Sequence, residues 1–437
     1  MIELVTLLLG LTLGIHEVEV AVGPDVAAVH WILDGKVVAQ TSGPPWRERI
    51  DFGDTLVPHR LTVLAVDEGG RPLDTAEQLI NYIRAGHEVV IVLRERQGRK
   101  IGGRLVVHAV MDEEPESLTL KLDGRPLELD AYGGFRLPEY DPERPHALEA
   151  EARFSGEAVA RAESTFGGGL GEELTSALSA VAVTSPLRRP WSAEEVEGWL
   201  RHRGHPLPVF DSRADGSRVV VVRDDGLIQD LARHQRFMRF QRTPQEELLP
   251  AGLYVAGVSS RPLQDHPSTF EISDLGLAPP TFGLMQIFLG RPEIYAFDRS
   301  LGSTQPQDLW TAVAVAGRMA AASNVPRVVV LLLGPEPSMD GGMTRQTVET
   351  YLESIQVPLL IWAPSNKSLK KAGLHGLENT FVGPRGLYSV ADLAAKTVES
   401  QTLIWIEGTF LPTEIELVAD RAKARPVSSV MLRRPGA

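Results

Sequence analysis

The sequence lacks cysteine altogether. Disulfide bonds, thiolate metal sites and a cysteine nucleophile are therefore excluded. Long apolar runs are also missing: no stretch approaches the roughly 20 residues of a membrane-spanning helix, so we predict no membrane span. Basic residues are outnumbered, with 44 Lys and Arg against 57 Asp and Glu and a net charge of −13. This balance argues against nucleic acid as a partner, because phosphate backbones are bound by cationic surfaces.

The short motifs that mark common catalytic and nucleotide-binding sites are absent as well. The sequence has no Gly-x-Ser-x-Gly elbow, no His-Glu-x-x-His helix and no Walker loop. The glycine-rich stretch 166–171 is not followed by Gly-Lys-Ser/Thr, so we interpret it as a bend or linker. We therefore predict a protein that is not an enzyme and carries no cofactor.

What is present suits a multidomain globular chain of 437 residues, of which 43% are hydrophobic. Its first apolar stretch, Leu4–Leu13, is about as long as the core of a signal peptide. The preceding Met-Ile-Glu carries no positive charge. We predict a signal peptide over residues 1–14, and hence a secreted or periplasmic protein. A first β-strand and a misassigned start codon stay open as alternatives.

The first half of the chain contains a tandem repeat. Leu33–Lys36 matches Leu122–Arg125 at an offset of 89 residues, and Pro58–Leu61 matches Pro145–Leu148 at an offset of 87. Ordered matches with a slowly drifting offset indicate two copies of one unit.

The repeated unit has the pattern of a β-sandwich. Asp34-Gly35 and Asp123-Gly124 are hairpin-turn signals, and Trp46 and Phe135 are aromatic at matching positions. Short alternating strands with turn signals every ~8–12 residues are typical of sandwiches. We predict two all-β immunoglobulin-like domains over residues 15–84 and 85–166. Without cysteine, neither can contain the disulfide of antibody domains.

The second half alternates between helical and strand patterns. Helices are predicted over 308–322 and 344–355, and fully apolar strands over 328–333 and 357–362. Further strands are predicted over 218–222, 252–258, 269–272, 379–382 and 402–406, and further helices over 227–238 and 390–398. This alternation predicts a doubly wound, Rossmann-type α/β domain. We place it at 206–410, after a connector over 167–205 and before a C-terminal tail over 411–437.

Several local patterns in this half resemble a known family. They are the strand-to-helix start at Val219–Leu231, the sequence Asp308-Leu-Trp-Thr-Ala-Val313, the strand Val328–Leu333 and the sequence Gly386-Leu-Tyr-Ser-Val-Ala-Asp-Leu393. Together they resemble a von Willebrand factor type A domain, specifically that of secreted "VWFA-related" bacterial proteins. The resemblance covers residues 206–410 and implies a protein-binding, adhesion-type domain. The family's metal-ion-dependent adhesion site uses Asp-x-Ser-x-Ser after the first strand, Thr before the central helix and Asp after the fourth strand.

This chain departs from the family at each of those metal-site positions. By alignment, Arg223 takes the place of the first Asp, and Asp225 and Leu227 take the places of the two Ser residues. Gln307 precedes the helix, with Thr304 nearby, and Gly334 stands where the last Asp is expected. A divalent cation needs several oxygen ligands, whereas Arg223 would add a fixed positive charge at that spot. We therefore predict a degenerate site that binds no metal.

The predicted binding surface consists of the degenerate metal-site loops. Its residues are Arg223, Asp224, Asp225, Thr304, Gln307, Asp308 and Asp340. We expect Arg223 to stand in for the cation and to pair with Asp224, Asp225 or Asp308. A shifted metal site built from Asp224, Asp225 and Asp340 stays open.

These patterns predict an exported, non-enzymatic interaction protein whose partner is another protein. One alternative is a structural subunit of an extracellular assembly, in which the sandwiches polymerise. The other is an enzyme or enzyme subunit with a pocket at the strand ends of the α/β domain.

Overall fold

The computed structural model describes most of the chain. The described residues are 2–6, 8, 10–82, 87–96, 99–109, 114–130, 133–142, 144–154, 159–167, 174–176, 178–184, 191–214, 217–224, 227, 253–263, 266–277, 308–322, 325–337, 342–377, 380–418 and 425–427. Among these residues, no helix is long and apolar enough to cross a membrane.

The first unit is an antiparallel β-sandwich. Its strands are β1 (Ile2–Leu4), β2 (Ile15–Val22), β3 (Ala28–Leu33), β4 (Lys36–Thr41), β5 (Arg47–Asp51), β6 (His59–Val66) and β7 (Pro72–Ile80). One sheet has the order β1-β2-β5 and the other the order β4-β3-β6-β7. The inward residues of both sheets form one core around the fully buried Trp31. In β6 the core positions are Leu61, Val63 and Ala65, as the alternating pattern predicts.

The second unit repeats this arrangement. Its strands are β8 (His87–Arg96), β9 (Arg99–Ala109), β10 (Ser117–Leu122), β11 (Arg125–Leu127), β12 (Gly134–Arg136), β13 (Pro145–Arg153), β14 (Val159–Gly167) and β15 (Leu174–Ser176). The sheets have the orders β8-β9-β12 and β11-β10-β13-β14-β15, which are the orders of the first unit with one strand added. Asp34 and Asp123 both have φ of 50° at the hairpin turn. The prediction of tandem β-sandwiches is confirmed.

The N-terminal stretch is part of the first sandwich in this structure. Ile2 of β1 is buried and pairs with Val22 of β2. Further along, the side-chain amide of Asn81 accepts from the backbone N–H of Thr12 at 2.7 Å and donates to its carbonyl oxygen at 2.9 Å. The first sandwich therefore includes residues before 15, although its strand β1 covers only Ile2–Leu4 and none of the described residues of 5–14 lies in a strand. The signal peptide over residues 1–14 stays a prediction. A short apolar run fits a signal core and a buried strand equally well, which is why the pattern alone does not separate them.

The predicted connector contains ordered structure. It comprises β16 (Leu178–Thr184), helix α1 (Ala193–Val196), β17 (Leu200–His202) and the start of β18 (His205–Pro206). Strand β19 (Val209–Arg213) follows within the predicted 206–410 domain. Ser192 and Glu195 form the expected capping box, in which each side chain accepts from the backbone N–H of the other. The helix ends after one turn at Val196, so it is shorter than the predicted segment through Leu200.

A six-stranded sheet forms the centre of the C-terminal half. Its strands are β20 (Ser217–Arg223), β21 (Leu253–Leu263), β22 (His266–Leu277), β23 (Arg327–Leu332), β24 (Leu359–Ala363) and β25 (Thr380–Val382). They lie in the order β22-β21-β20-β23-β24-β25. The edge strand β22 is antiparallel to β21, and the other four neighbouring pairs are parallel. If these six strands are renumbered 1 to 6 in the order in which they follow along the chain, the sheet has the order 3-2-1-4-5-6, which is the order of doubly wound folds.

Helices cover both faces of this sheet. They are α2 (Leu309–Ala321), α3 (Arg345–Ser354), α4 (Asn366–Lys371) and α5 (Gly383–Glu399). Val220 and Val222 of β20 pack with α2 and α3, whereas Val219 and Val221 pack with α5. The run of apolar residues in β23 is fully buried because both of its faces are covered. The helix predicted over 227–238 lies outside the described residues except for Leu227.

The strand predicted over 402–406 exists but does not belong to this sheet. It is β26 (Gln401–Glu407), which pairs antiparallel with β16 and β19 in a separate sheet of order β19-β26-β16-β28. The strands β27 (Glu416–Leu417) and β28 (Arg425–Pro426) come from the predicted tail. The prediction of a last parallel strand was wrong, because an apolar run does not reveal which strand it will pair with.

The first sandwich packs directly against the helices of the parallel sheet. Leu56 is fully buried in the same apolar cluster as residues of α2 and α3. The Tyr351 hydroxyl, on α3, donates to the carbonyl oxygen of Asn81 at 2.6 Å. Arg60 of β6 forms an ion pair with Glu414 at 3.1 Å. Units that are distant in sequence are therefore in direct contact.

Two glutamine side chains join the antiparallel sheet to the start of the parallel sheet. Gln401 accepts from the backbone N–H of Arg327 at 2.9 Å and donates to its carbonyl oxygen at 2.8 Å. Gln356 accepts from the backbone N–H of Ala182 at 2.9 Å. The amide of Gln401 bonds to Arg327 as a peptide group of a neighbouring strand would. Together the two glutamines hold the N-terminal ends of the parallel strands against the antiparallel sheet.

Candidate functional site

The centre of the parallel sheet provides the candidate binding crevice. Strands β20 and β23 are neighbours there, and the strand order reverses between them. In open α/β sheets, ligands bind outside the carboxyl ends of the strands at such a switch point. Helix α2 runs back to the start of β23, so its first residues lie at the same edge as the ends of these strands.

Asp224 links the two central strands across the switch point. It follows β20 directly and is fully buried. Its Oδ2 accepts from the backbone N–H of Gly334 at 2.9 Å, and its own N–H donates to the carbonyl oxygen of Leu332 at 2.9 Å. The structure therefore brings together Asp224, which follows the Arg223 position, and Gly334, which stands where the family pattern has its last metal-binding Asp.

Arg223 is the last residue of β20 and is partly exposed. Because side chains alternate along a strand, Arg223 lies on the same face of the sheet as Val219 and Val221, which pack against α5. Asp224, and not Arg223, is thus the first residue beyond the strand. The expected pairing of Arg223 with Asp224, Asp225 or Asp308 stays a prediction.

Asp308 caps helix α2 at this edge. Its Oδ1 accepts from the backbone N–H of Thr311 at 3.0 Å. A carboxylate is favourable there because the helix N-terminus carries unpaired N–H groups and a partial positive charge. Gly342, with φ of 65°, lies so close that a Cβ atom on it would be 1.8 Å from Asp308 Oδ2. Glycine at 342 therefore lets the loop before α3 lie directly on the cap.

The loop that follows β23 forms one wall of the crevice, and two side chains of α4 contact it. Ser368 Oγ donates to the carbonyl oxygen of Pro335 at 3.1 Å. Lys371 forms an ion pair with Glu336, and this hydrogen-bonded contact lowers the pKa of the Glu336 carboxyl group. Sequence analysis missed Ser368 and Lys371, because they follow the next strand and no motif links them to residues 334–337.

The other predicted site residues cannot be placed in the crevice. Asp225, Thr304, Gln307 and Asp340 lie outside the described residues. Within the part of the chain that the structure describes, no group of three or more His, Cys, Asp or Glu side chains could hold a metal ion. The described crevice thus consists of one buried carboxylate engaged with a backbone N–H, one helix cap and one partly exposed arginine.

Comparisons with known proteins give weak matches only. No protein-family model matches the chain, and no curated protein matches it. Among solved structures, the fibronectin(III)-like modules of Clostridium thermocellum CbhA are 14% identical, with a TM-score of 0.17, over 18% of this chain and 93% of that chain.

Two further solved structures match larger parts of the chain. The central fibronectin-III array of RIM-binding protein is 13% identical, with a TM-score of 0.20, over 45% of this chain and 82% of that one. Proximal thread matrix protein 1 from the mussel byssus is 16% identical, with a TM-score of 0.24, over 45% of this chain and 50% of that one. These scores are low, and the sandwich assignment rests on the strand pairing described above.

Proposed function

We propose that the protein is a non-enzymatic interaction protein that binds a protein partner without a metal ion. In this proposal the doubly wound unit is a type A-like domain, and the loops at its switch point contact the partner. The two sandwiches act as docking and spacer modules. Arg223 and Asp308 contribute to the binding surface, together with Asp225, Thr304, Gln307 and Asp340 from the same loops, and the buried Asp224 holds the strand ends beneath it.

The engagement of Asp224 is the observation that carries this proposal. Its carboxylate is fully buried and accepts a hydrogen bond from the Gly334 N–H group, so it ties two strand ends together. A cation site needs several free oxygen ligands in a roomy shell. Here the nearest carboxylate has a structural partner, glycine replaces the second acid, and Arg223 adds positive charge at the rim. Shape and fixed charges are then the means by which the crevice can recognise a partner.

Calorimetry and partner capture test the proposal together. We expect no heat of binding when Mg²⁺, Mn²⁺ or Ca²⁺ is added, and equal capture of a partner from native extract with chelator or with Mg²⁺. Arg223→Ala should weaken capture. The matched control is Arg201→Ala, because Arg201 is exposed on β17, which does not belong to the parallel sheet. Capture that requires a cation, or that is unaffected by Arg223→Ala, would overturn the proposal.

Point variants are preferable to deletion of residues 206–410. That range contains β19 and β26. Strand β26 pairs with both β19 and β16, so the deletion would remove the partner of β16, which lies outside the range. Its helix α3 also contacts the first sandwich through Tyr351. Deletion would therefore disrupt the rest of the protein, and loss of capture would not identify the binding surface.

An open sheet edge favours a second candidate, a structural subunit whose sandwiches associate. Strand β4 is the outer strand of its sheet, and its Val37 and Val38 are 63% and 49% exposed. The equivalent strand β11 has three residues and contains Pro126, which has no N–H to donate. Natural edge strands are usually protected by such devices. Strand β4 has an irregularity in its pairing with β3 at Val38 but is longer than β11 and contains no proline, so it is the less protected edge and can accept another strand.

Light scattering over a range of protein concentrations tests this second candidate. Association through β4 should be abolished by Val38→Lys, because a charge on the edge strand opposes strand addition. Val418→Lys is the matched control, since Val418 is 48% exposed at a site remote from β4 in sequence. A protein that stays monomeric at all concentrations, or a Val38→Lys variant that still associates, would eliminate this candidate.

An extracellular location also belongs to the proposal. It is supported by the apolar Leu4–Leu13 stretch, whose length suits the core of a signal peptide. Sequencing the N-terminus of the native protein shows whether that stretch is cleaved or retained. A start at or beyond residue 15 would identify a cleaved signal, whereas a start at Met1 would show that the stretch is part of the mature protein.

A further inference from the structure

The two sandwiches contain the same carboxylate–imidazole pair at equivalent positions. Asp34 Oδ2 lies 2.7 Å from His59 Nδ1, and Asp123 Oδ2 lies 2.7 Å from His146 Nδ1. In each copy, the other carboxylate oxygen accepts from the backbone N–H that follows the histidine, at 2.9 Å. Both histidine side chains are 12% exposed. Each pair therefore fastens an Asp-Gly turn to the start of the next long strand.

The copies differ at the second ring nitrogen. His146 Nε2 lies 2.9 Å from the carbonyl oxygen of Asp141. His59 Nε2 is buried and has no hydrogen-bond partner among the described residues. An ionised carboxylate and a carbonyl oxygen are both acceptors only, so the two contacts of His146 require a proton on each nitrogen. In the first copy, a single proton on Nδ1 satisfies the one contact that is made.

We propose that His146 is a pH-sensitive latch of the second sandwich. In its doubly protonated form it joins the Asp123 turn to the Asp141 loop. Loss of one proton leaves a nitrogen lone pair facing an acceptor, and the loop is released. The first sandwich has the same pair without the second contact, so it lacks the latch and provides an internal comparison.

The carboxylates of Asp123 and Asp141 favour the doubly protonated ring. The guanidinium of Arg144, at 3.4 Å from Asp141, and that of Arg125, beside Asp123, offset part of this attraction. The uncharged neighbours are the rings of Tyr140 and Phe166, whose centroids lie 5.2 and 5.7 Å from that of His146.

The hydrogen bond from Asp123 raises the pKa of His146 above 6.5; burial opposes this rise, and the Asp141 carbonyl oxygen adds to it. Because the folded-state pKa is raised, the stabilisation is fully present below pH 6.5 and is lost as the pH rises through the folded-state value.

Histidine NMR and amide hydrogen exchange on the full-length chain test the latch. With ring-labelled histidine, the signal that disappears in His146→Gln identifies His146, and it should titrate above 6.5 in the wild type. Protection of the backbone amides around residues 141–153 should fall as the pH rises through the folded-state pKa of His146, which lies above 6.5. This fall should persist in His59→Gln, the matched control, and disappear in His146→Gln.

Two results would refute the latch. One is a His146 signal that titrates at or below 6.5; the other is an unchanged fall in protection in His146→Gln. Asp123→Asn provides an independent assignment if His146→Gln does not fold. Asparagine keeps an oxygen acceptor without the negative charge, so the titration midpoint of His146 should move down while the other histidine signals stay in place.

Discussion

At the scale of single residues, Tyr351 shows how a buried polar group connects two units. Its ring is fully buried, and its hydroxyl donates to the carbonyl oxygen of Asn81 across the contact with the first sandwich. Burial raises the pKa of the phenol above its usual range, so the group remains a donor at any pH at which the protein functions. Tyr351 lies within the helix predicted over 344–355, but its contact with a residue 270 positions away is not encoded in any local pattern.

Replacing Tyr351 with Phe should destabilise the protein by about 1–2 kcal/mol, because a hydrogen bond is lost and a buried carbonyl oxygen is left unpaired. Urea unfolding measures the loss. Ser389→Ala is the matched control, since it removes an exposed side-chain hydrogen bond to a backbone carbonyl on α5 and should have almost no effect. Equal losses for the two variants would contradict this role of Tyr351.

At the scale of elements, helices α2 and α3 were predicted well because their start signals are local. Helix α4 was not predicted, and α5 begins at Gly383, seven residues before the predicted start, where no side chain caps it. Asp308 and Thr344 precede apolar stripes, and the structure shows both as N-caps that accept from the third backbone N–H group of their helices. Strand β23 was predicted from its uninterrupted apolar run. Strand β26 was assigned to the wrong sheet, since its partners β16 and β19 are selected by packing and not by its own sequence.

Loss of the Asp308 cap should cost about 1 kcal/mol in Asp308→Ala, a typical value for removing a capping side chain. Asp308→Asn keeps the oxygen acceptor and should retain most of that stability. Thermal unfolding compares the two variants. If they lose equal stability, charge and not capping is the contribution of Asp308.

At the scale of the whole molecule, the repeat and the order of domain types could be predicted, whereas the contacts between units could not. The repeat was visible because both copies kept the Asp-Gly turn and the Pro-His pair, which the structure shows in hydrogen-bonded contact. Of the predicted site residues, the structure places Arg223, Asp224 and Asp308 at the carboxyl edge of the parallel sheet, and their role in binding stays a prediction. The use of Asp224 as a tie to Gly334 depends on two strand ends that meet only in the folded sheet.

Deleting residues 1–13 should destabilise the first sandwich by about 2–4 kcal/mol, because it removes β1 and leaves the buried amide of Asn81 without its Thr12 partners. Asn81→Gly removes the same amide contacts, and glycine tolerates the φ of 59° at that position. In the double variant, the two losses should therefore be less than additive when measured by urea unfolding. Strict additivity would show that the amide contacts contribute nothing.

The contact between Asn81 and Tyr351 also has a consequence for synthesis on the ribosome. The two partners are separated by 270 residues, which take roughly 15–55 s to translate at about 5–20 residues per second. During that interval the first sandwich has emerged, but the helices that cover Leu56 do not yet exist. The nascent chain consequently displays an uncovered apolar patch while the second sandwich is being made, and this interval is when a chaperone would be of most use to it.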